Sequence, residues 1–160
     1  FSMNMIKIPA MDKEEYDELI KQNFIGRIAF KGENYPYITP FMYIFDGGFL
    51  YFLSTKYGKK IKEIKLNSNV AVEIEKYSED MSNYKFANLQ GRIVEVEDEE
   101  DKKKIKEMFI QMIKDKNLSN KALAAIGHSP DESIQLILEE DRTMVWKLVD
   151  LKQIVALKNP

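Results

Sequence analysis

The chain reads as a mainly β protein with peripheral helices, its strands running antiparallel and closing fully or partly into a barrel. Three observations predict this. At least five segments rich in β-branched and aromatic residues follow one another between Gly26 and Val96, with Gly, Asn and Asp turns between them. The helical segments are inserted among these strands and do not alternate with them, which argues against a doubly wound parallel sheet. Hydrophobic residues make up 44% and charged residues 31% of 160, a balance that excludes disorder and fibrous repeats and suits one core burying about 68 to 70% of the unfolded surface. No linker, repeat or low-complexity tract interrupts it, so residues 1–160 are expected to form a single domain.

Element by element, Asp12 with Glu15 forms a capping box, and Tyr16, Leu19 and Ile20 follow at helical spacing to about Asn23. Gly26–Phe30 is a strand, Gly32–Asn34 a turn, and Tyr35–Phe45 a second, antiparallel strand. Asp46, Gly47 and Gly48 tolerate positive φ and turn the chain into a third strand, Phe49–Ser54. A helix over Lys59–Asn67 turns Ile61 and Ile64 inward. Val70–Lys76 is a fourth strand, Tyr77–Asn83 a polar loop, and Tyr84–Val96 a fifth strand bent near Gly91. After the acidic turn Glu97–Asp101, the spacing of Ile105, Met108, Phe109, Met112 and Ile113 predicts a surface helix. Leu118–Ile126 reads as a short helix, and Ser129, Pro130 and Glu132 as a capping box opening another to about Glu140. Thr143–Leu148 and Gln153–Leu157 are one or two closing strands. Phe1, Ser2 and Met3 read in part as a remnant preceding the natural start and are set aside.

Composition removes several kinds of function. A formal net charge of −2 gives no long-range attraction to nucleic acid or an anionic membrane. No run approaches about 18 apolar residues and no signal-peptide pattern opens the chain, so a soluble cytoplasmic protein is expected, with no membrane partner. The absence of cysteine excludes disulfides, thiol catalysis and cysteine-bound zinc, and a single histidine, His128, excludes a multi-histidine metal site. His128 itself is expected in a partly exposed loop. The run Lys102, Lys103, Lys104 is balanced by the acidic residues before it.

One local feature runs against helix electrostatics. Lys59 and Lys60 follow Gly58 where a loop turns into a helix, and a cation at a helix N-terminus costs on the order of 0.3 to 1 kcal/mol. A bound anion would offset that. Ser54, Thr55, Gly58, Lys59 and Lys60 together offer two hydroxyls, a flexible glycine, free helix-end N–H groups and two ammonium donors, a set suited to phosphate. The plainer reading is a solvated lysine pair beside Lys62 and Lys65. No G-x-G-x-x-G is present, and Gly58-Lys59 lacks the remaining residues of a P-loop, so a phosphate cradle here needs another architecture.

The ordered string from Thr39 to Glu75, TPFMYIFDGGFLYFLSTKYGKKIKEIKLNSNVAVEIE, resembles the core of the flavin-binding split-barrel family, the pyridoxamine 5′-phosphate oxidase-like group, and especially its nitroimidazole-resistance-type members. The similarity covers roughly Asp12 to Val96 and continues more weakly to the C-terminus. The resemblance implies an antiparallel split β-barrel that binds FMN. It assigns Lys59 and Lys60, with Ser54, Thr55 and Gly58, to the flavin phosphate, and the backbone of Thr39, Pro40, Phe41, Met42 and Tyr43 to the isoalloxazine edge. Backbone groups can serve the ring's polar edge whatever the side chains are. It further implies a homodimer with the flavin at its interface, Asn88 and Gln90 reaching the partner's cofactor, and NAD(P)H as a possible reductant.

Two departures limit what carries over. The larger pyridoxamine oxidases have a C-terminal tryptophan and arginine that grip substrate phosphate; Trp146 and Arg142 could imitate them, but a core or interface tryptophan is the expectation. Many nitroimidazole-resistance-type members have a histidine at the end of the third strand, where this chain has Leu53 and Ser54. The aromatic residues between Tyr35 and Phe52 are expected to fill the barrel or an interface, with Tyr43 flanking the flavin. An FMN-dependent oxidoreductase with no assigned catalytic residue is the first reading; a non-catalytic FMN- or haem-binding carrier or sensor is the alternative.

Overall fold

The computed structural model describes residues 5–160, so Phe1, Ser2 and Met3 lie outside the described residues. Six strands, β1 (Ile25–Phe30), β2 (Tyr37–Phe45), β3 (Leu50–Thr55), β4 (Asn69–Tyr77), β5 (Tyr84–Glu95) and β6 (Thr143–Lys158), form a closed barrel. Their order around the ring is β1-β2-β3-β6-β5-β4, and every pairing is antiparallel. Helices α1 (Lys13–Gln22), α2 (Lys59–Leu66), α3 (Glu99–Asp115) and α4 (Leu136–Glu139) are peripheral, as is a 3₁₀ helix at Asn120–Ile126. The mainly β, antiparallel reading therefore holds. The Asp12–Glu15 capping box forms as expected.

Two apolar layers share β2, β3 and β6. Inside the barrel lie Phe30, Phe41, Tyr43, Phe52, Val72, Leu89 and Trp146. Outside it, Met42, Ile44, Tyr51, Leu53 and Val145 meet Ile105, Phe109 and Ile113 of α3, with Leu123, Ile126 and Ile137 beyond. Alternate residues of a strand point to opposite faces, so β3, covered on both, is buried at all six positions. That double burial is why its sequence reads as an unbroken apolar run.

The C-terminal part meets one expectation, with a single closing strand, and departs from another, with no helix at Pro130. The closing segment is one 16-residue strand, β6, bent at Asp150 (φ 51°) opposite a register shift between Gln90 and Arg92. Gly91 is required there, because a Cβ on it would sit 2.6 Å from the carbonyl oxygen of Val149. No helix starts at Pro130; the chain turns instead and becomes helical only in α4. The Glu132 carboxylate, which would have to fold back to complete the capping box, is held by Arg142 at 2.8 and 3.1 Å and by His128 Nδ1 at 3.1 Å.

Candidate functional site

The barrel is split between β2 and β3. The two strands pair only at Tyr43↔Phe52, Ile44↔Tyr51 and Phe45↔Leu50, next to the Asp46 turn, where Asp46 Oδ1 accepts from the N–H groups of Gly48 (2.8 Å) and Phe49 (2.7 Å). Beyond Tyr43, β2 continues against β1 alone and β3 against β6 alone. Two strand edges thus face each other unpaired, Thr39–Met42 on one side and Leu53–Thr55 on the other. Alternate residues of an antiparallel strand direct N–H and C=O to opposite neighbours, so both edges aim backbone donors and acceptors into the gap.

A cavity of about 110 Å³ occupies this gap, lined by Thr39, Pro40, Phe41 and Met42, by Leu53, Ser54 and Thr55, and by Lys60, with Ala125 and Ile126 of the 3₁₀ helix as its roof. Larger hollows of about 830 and 660 Å³ lie elsewhere on the surface, and neither is lined by any residue of this gap. Lys60 closes one end of the gap. Its Nζ donates to Thr55 Oγ1 at 2.6 Å and to the Tyr57 carbonyl at 3.0 Å, while Thr55 Oγ1 donates to the same carbonyl at 3.1 Å. Burial holds its pKa below the usual lysine range. Gly58 precedes it at φ 106°, where an L side chain would be strained and a Cβ would stand 3.4 Å from Lys60 Nζ. The α2 N-terminus has no side-chain cap and no acid in its first turn, so its orphan N–H groups and the lysines present an uncompensated positive end.

Of the sequence-selected residues, eight of the twelve line the cavity or close it: Thr39, Pro40, Phe41, Met42, Ser54, Thr55, Lys60 and, through its backbone conformation, Gly58. The Ser54 hydroxyl is 1% exposed and donates to the Thr55 carbonyl at 2.8 Å, so it is engaged locally. Lys59 turns aside, its Nζ 5.0 Å from the centre of the Tyr37 ring. Tyr43 is a correction as a flanking side chain: it is 1% exposed inside the barrel, its hydroxyl donates to the Ile20 carbonyl at 2.6 Å, and its N–H to the Phe24 carbonyl at 2.9 Å. Asn88 and Gln90 sit on β5, two strands from β3 and three from β2 around the ring, away from the gap of their own chain. Asn88 Oδ1 is buried there without a partner.

His128 is likewise corrected. It is 2% exposed, not in an exposed loop, with Nδ1 on Glu132 and Nε2 buried unpartnered. Trp146 is a core residue, 1% exposed, with ring centroids 5.5 Å from Phe41 and 6.2 Å from Phe30, while Arg142 is occupied by Glu132 and Glu140. Sequence reading missed the roof formed by Ala125 and Ile126. Nothing in the pattern of a short apolar helix says which strand gap it covers.

Among solved structures the fold resembles an FAD-binding protein of Mesorhizobium loti, at 17% identity, with 97% of this chain and 100% of that one covered and a TM-score of 0.65. It also resembles the FAD-binding protein of Mycobacterium smegmatis (16%, 95% and 100%, 0.62) and a candidate 5-nitroimidazole antibiotic resistance protein of Bacteroides thetaiotaomicron (18%, 100% and 99%, 0.59). No match is found among curated proteins. Residues 12–133, which carry the split, the lysine pair and the roof, match the profile of the pyridoxamine 5′-phosphate oxidase family, and the chain belongs to that family.

Proposed function

We propose that this protein binds FMN in the gap between β2 and β3 and acts as an FMN-dependent oxidoreductase on a small molecule. The observation that carries the reading is the parting of two strand edges that ends at a capless, cationic helix start. The unpaired edge of Thr39–Met42 suits the polar rim of an isoalloxazine ring, and Lys60, Lys59 and the first N–H groups of α2 suit the phosphate. The FAD-binding descriptions of two structural neighbours agree with a flavin.

When bound, the flavin supplies hydride and electron transfer, with NAD(P)H one candidate reductant. The chain's own residues position it. Thr55 holds the Lys60 ammonium at the end of the gap, and Leu53, Ala125 and Ile126 keep the adjoining wall apolar. A small-molecule site commonly spans about 300 to 1,000 Å³, so a cavity of about 110 Å³ encloses only part of a flavin. A second copy completing the enclosure, with Asn88 and Gln90 turned to its cofactor, fits that shortfall and the exposure of Tyr35, Ile38 and Tyr57. Among the described residues Lys60 is the sole titratable side chain lining the cavity, which also favours a second reading, a carrier or sensor that holds flavin without turnover.

The absorbance spectrum of the purified protein tests flavin directly. Lys59→Glu with Lys60→Glu is expected to abolish flavin retention while circular dichroism stays unchanged; wild-type affinity in that variant removes the assignment. Anaerobic addition of NADH or NADPH separates the two readings: bleaching of the flavin at a useful rate marks the enzyme, and no bleaching with either donor marks the carrier.

A further inference from the structure

On the outer side of the sheet a second group of lysines converges without an adequate counter-charge. Helix α3 carries Lys102 and Lys106 one turn apart, an i,i+4 pair of like charge that is unfavourable on its own. Lys106 is 4% exposed, and its ammonium has no hydrogen-bond or ion-pair partner among the described residues. Pairing of Thr55 with Thr143 brings the residues flanking those strand ends, Lys56 and Asp141, to the same place. Asp141 then serves two cations at once, with Oδ2 2.9 Å from Lys56 Nζ and Oδ1 3.6 Å from Lys102 Nζ. Glu99, at 3.5 Å from Lys102, is the other acid nearby, and its side chain is 89% exposed.

We propose that Lys56, Lys102 and Lys106 form a second anion site, separate from the one at Lys59 and Lys60, that takes the phosphate or pyrophosphate group of a nucleotide. The Lys106 stem is buried and its ammonium, at the edge of solvent, has no protein acceptor among the described residues, while Asp141 is shared by Lys56 and Lys102 and so is not free to pair with it. A phosphate group presents at least three acceptor oxygens and can engage all three lysines. Asp141 is its internal stand-in and competitor. In keeping with this, burial first and then the charges of Lys102 and Lys56 hold the Lys106 pKa below the usual lysine range, against the opposing pull of Asp141 and Glu99. The N-terminus of α3 plays no part, because Asp98 caps it and Glu99, Glu100 and Asp101 already match its dipole.

The test is calorimetric titration of sodium pyrophosphate into the protein as purified. Saturable binding is expected, weakened about tenfold or more by Lys106→Met and by the half-exposed Lys56→Gln, and tightened severalfold by Asp141→Asn. Lys60→Gln leaves unchanged the component of binding that Lys106→Met weakens, so this site and the flavin site stand or fall separately. Two sources of the phosphate are distinguished by flavin affinities. If Lys106→Met weakens FAD but not FMN, the site holds the adenylate end of a dinucleotide flavin; if it alters neither while pyrophosphate affinity falls, a separate phosphorylated molecule is the ligand. No saturable binding, or equal binding by Lys106→Met and wild type, overturns the proposal.

Discussion

The two faces of the β2-β3-β6 sheet are packed on different rules. The barrel interior is apolar and strongly aromatic, and the Tyr43 hydroxyl within it is satisfied by the Ile20 carbonyl at 2.6 Å. The outer layer, equally rich in Ile, Leu and Phe, has Thr55, Lys106, His128 and Thr143 buried in or beside it, and atoms of His128 and Thr143 lack partners. Buried polar groups cost stability unless they are paired. The interior thus serves cohesion, while the outer layer gives up some cohesion at the seam where ligands are proposed to sit.

Trp146→Ala breaks the comparison hardest. It removes the largest interior side chain, whose ring meets Phe30 and Phe41, and is expected to cost about 3 to 5 kcal/mol in urea denaturation; a loss below about 1 kcal/mol would show that the interior is not the main source of stability. Thr55→Val acts on the other face. Removing the hydroxyl between Lys60 and the Tyr57 carbonyl should lower FMN affinity about tenfold with a stability change near 1 kcal/mol, read by flavin fluorescence titration and thermal melting. Equal effects of both substitutions on flavin retention would erase the distinction.

Gly58→Ala strains a backbone at φ 106° and is expected to cost about 1 kcal/mol by thermal melting while shifting Lys60 enough to weaken FMN severalfold. Dependence on pH sharpens the picture least, but its sign is definite. The Lys60 ammonium is the form that binds phosphate and burial lowers its pKa, so FMN affinity is full below that lowered value and declines as pH rises through it. Lys60→Arg should remove the decline, because a guanidinium stays protonated throughout. A flat profile in the wild type would place Lys60 outside the phosphate contact.

Much of the barrel was legible because its causes are local. The Asp12–Glu15 box, the Asp46-Gly47-Gly48 turn and the spacing of Ile105, Phe109 and Ile113 each specify an element within a few residues. The split was not legible from the residues alone, since where β2 leaves β3 is set by the competing registers of β1 and β6, which are contacts distant in sequence. For the same reason Tyr43 misled: an aromatic on a strand can face either side, and one step of alternation decides between barrel interior and ligand wall. His128 was expected in a partly exposed loop, and only the packing of the last third of the chain against β3 buries it.

The ring order has a consequence for biogenesis. Because β6, the last of the six strands in chain order, joins β3 to β5, a nascent chain that has already emitted five strands holds an open sheet with two sticky margins until β6 leaves the ribosome. Such margins recruit other chains, so yield in a cell should depend on how quickly translation runs through Thr143–Lys158 more than on any codon upstream.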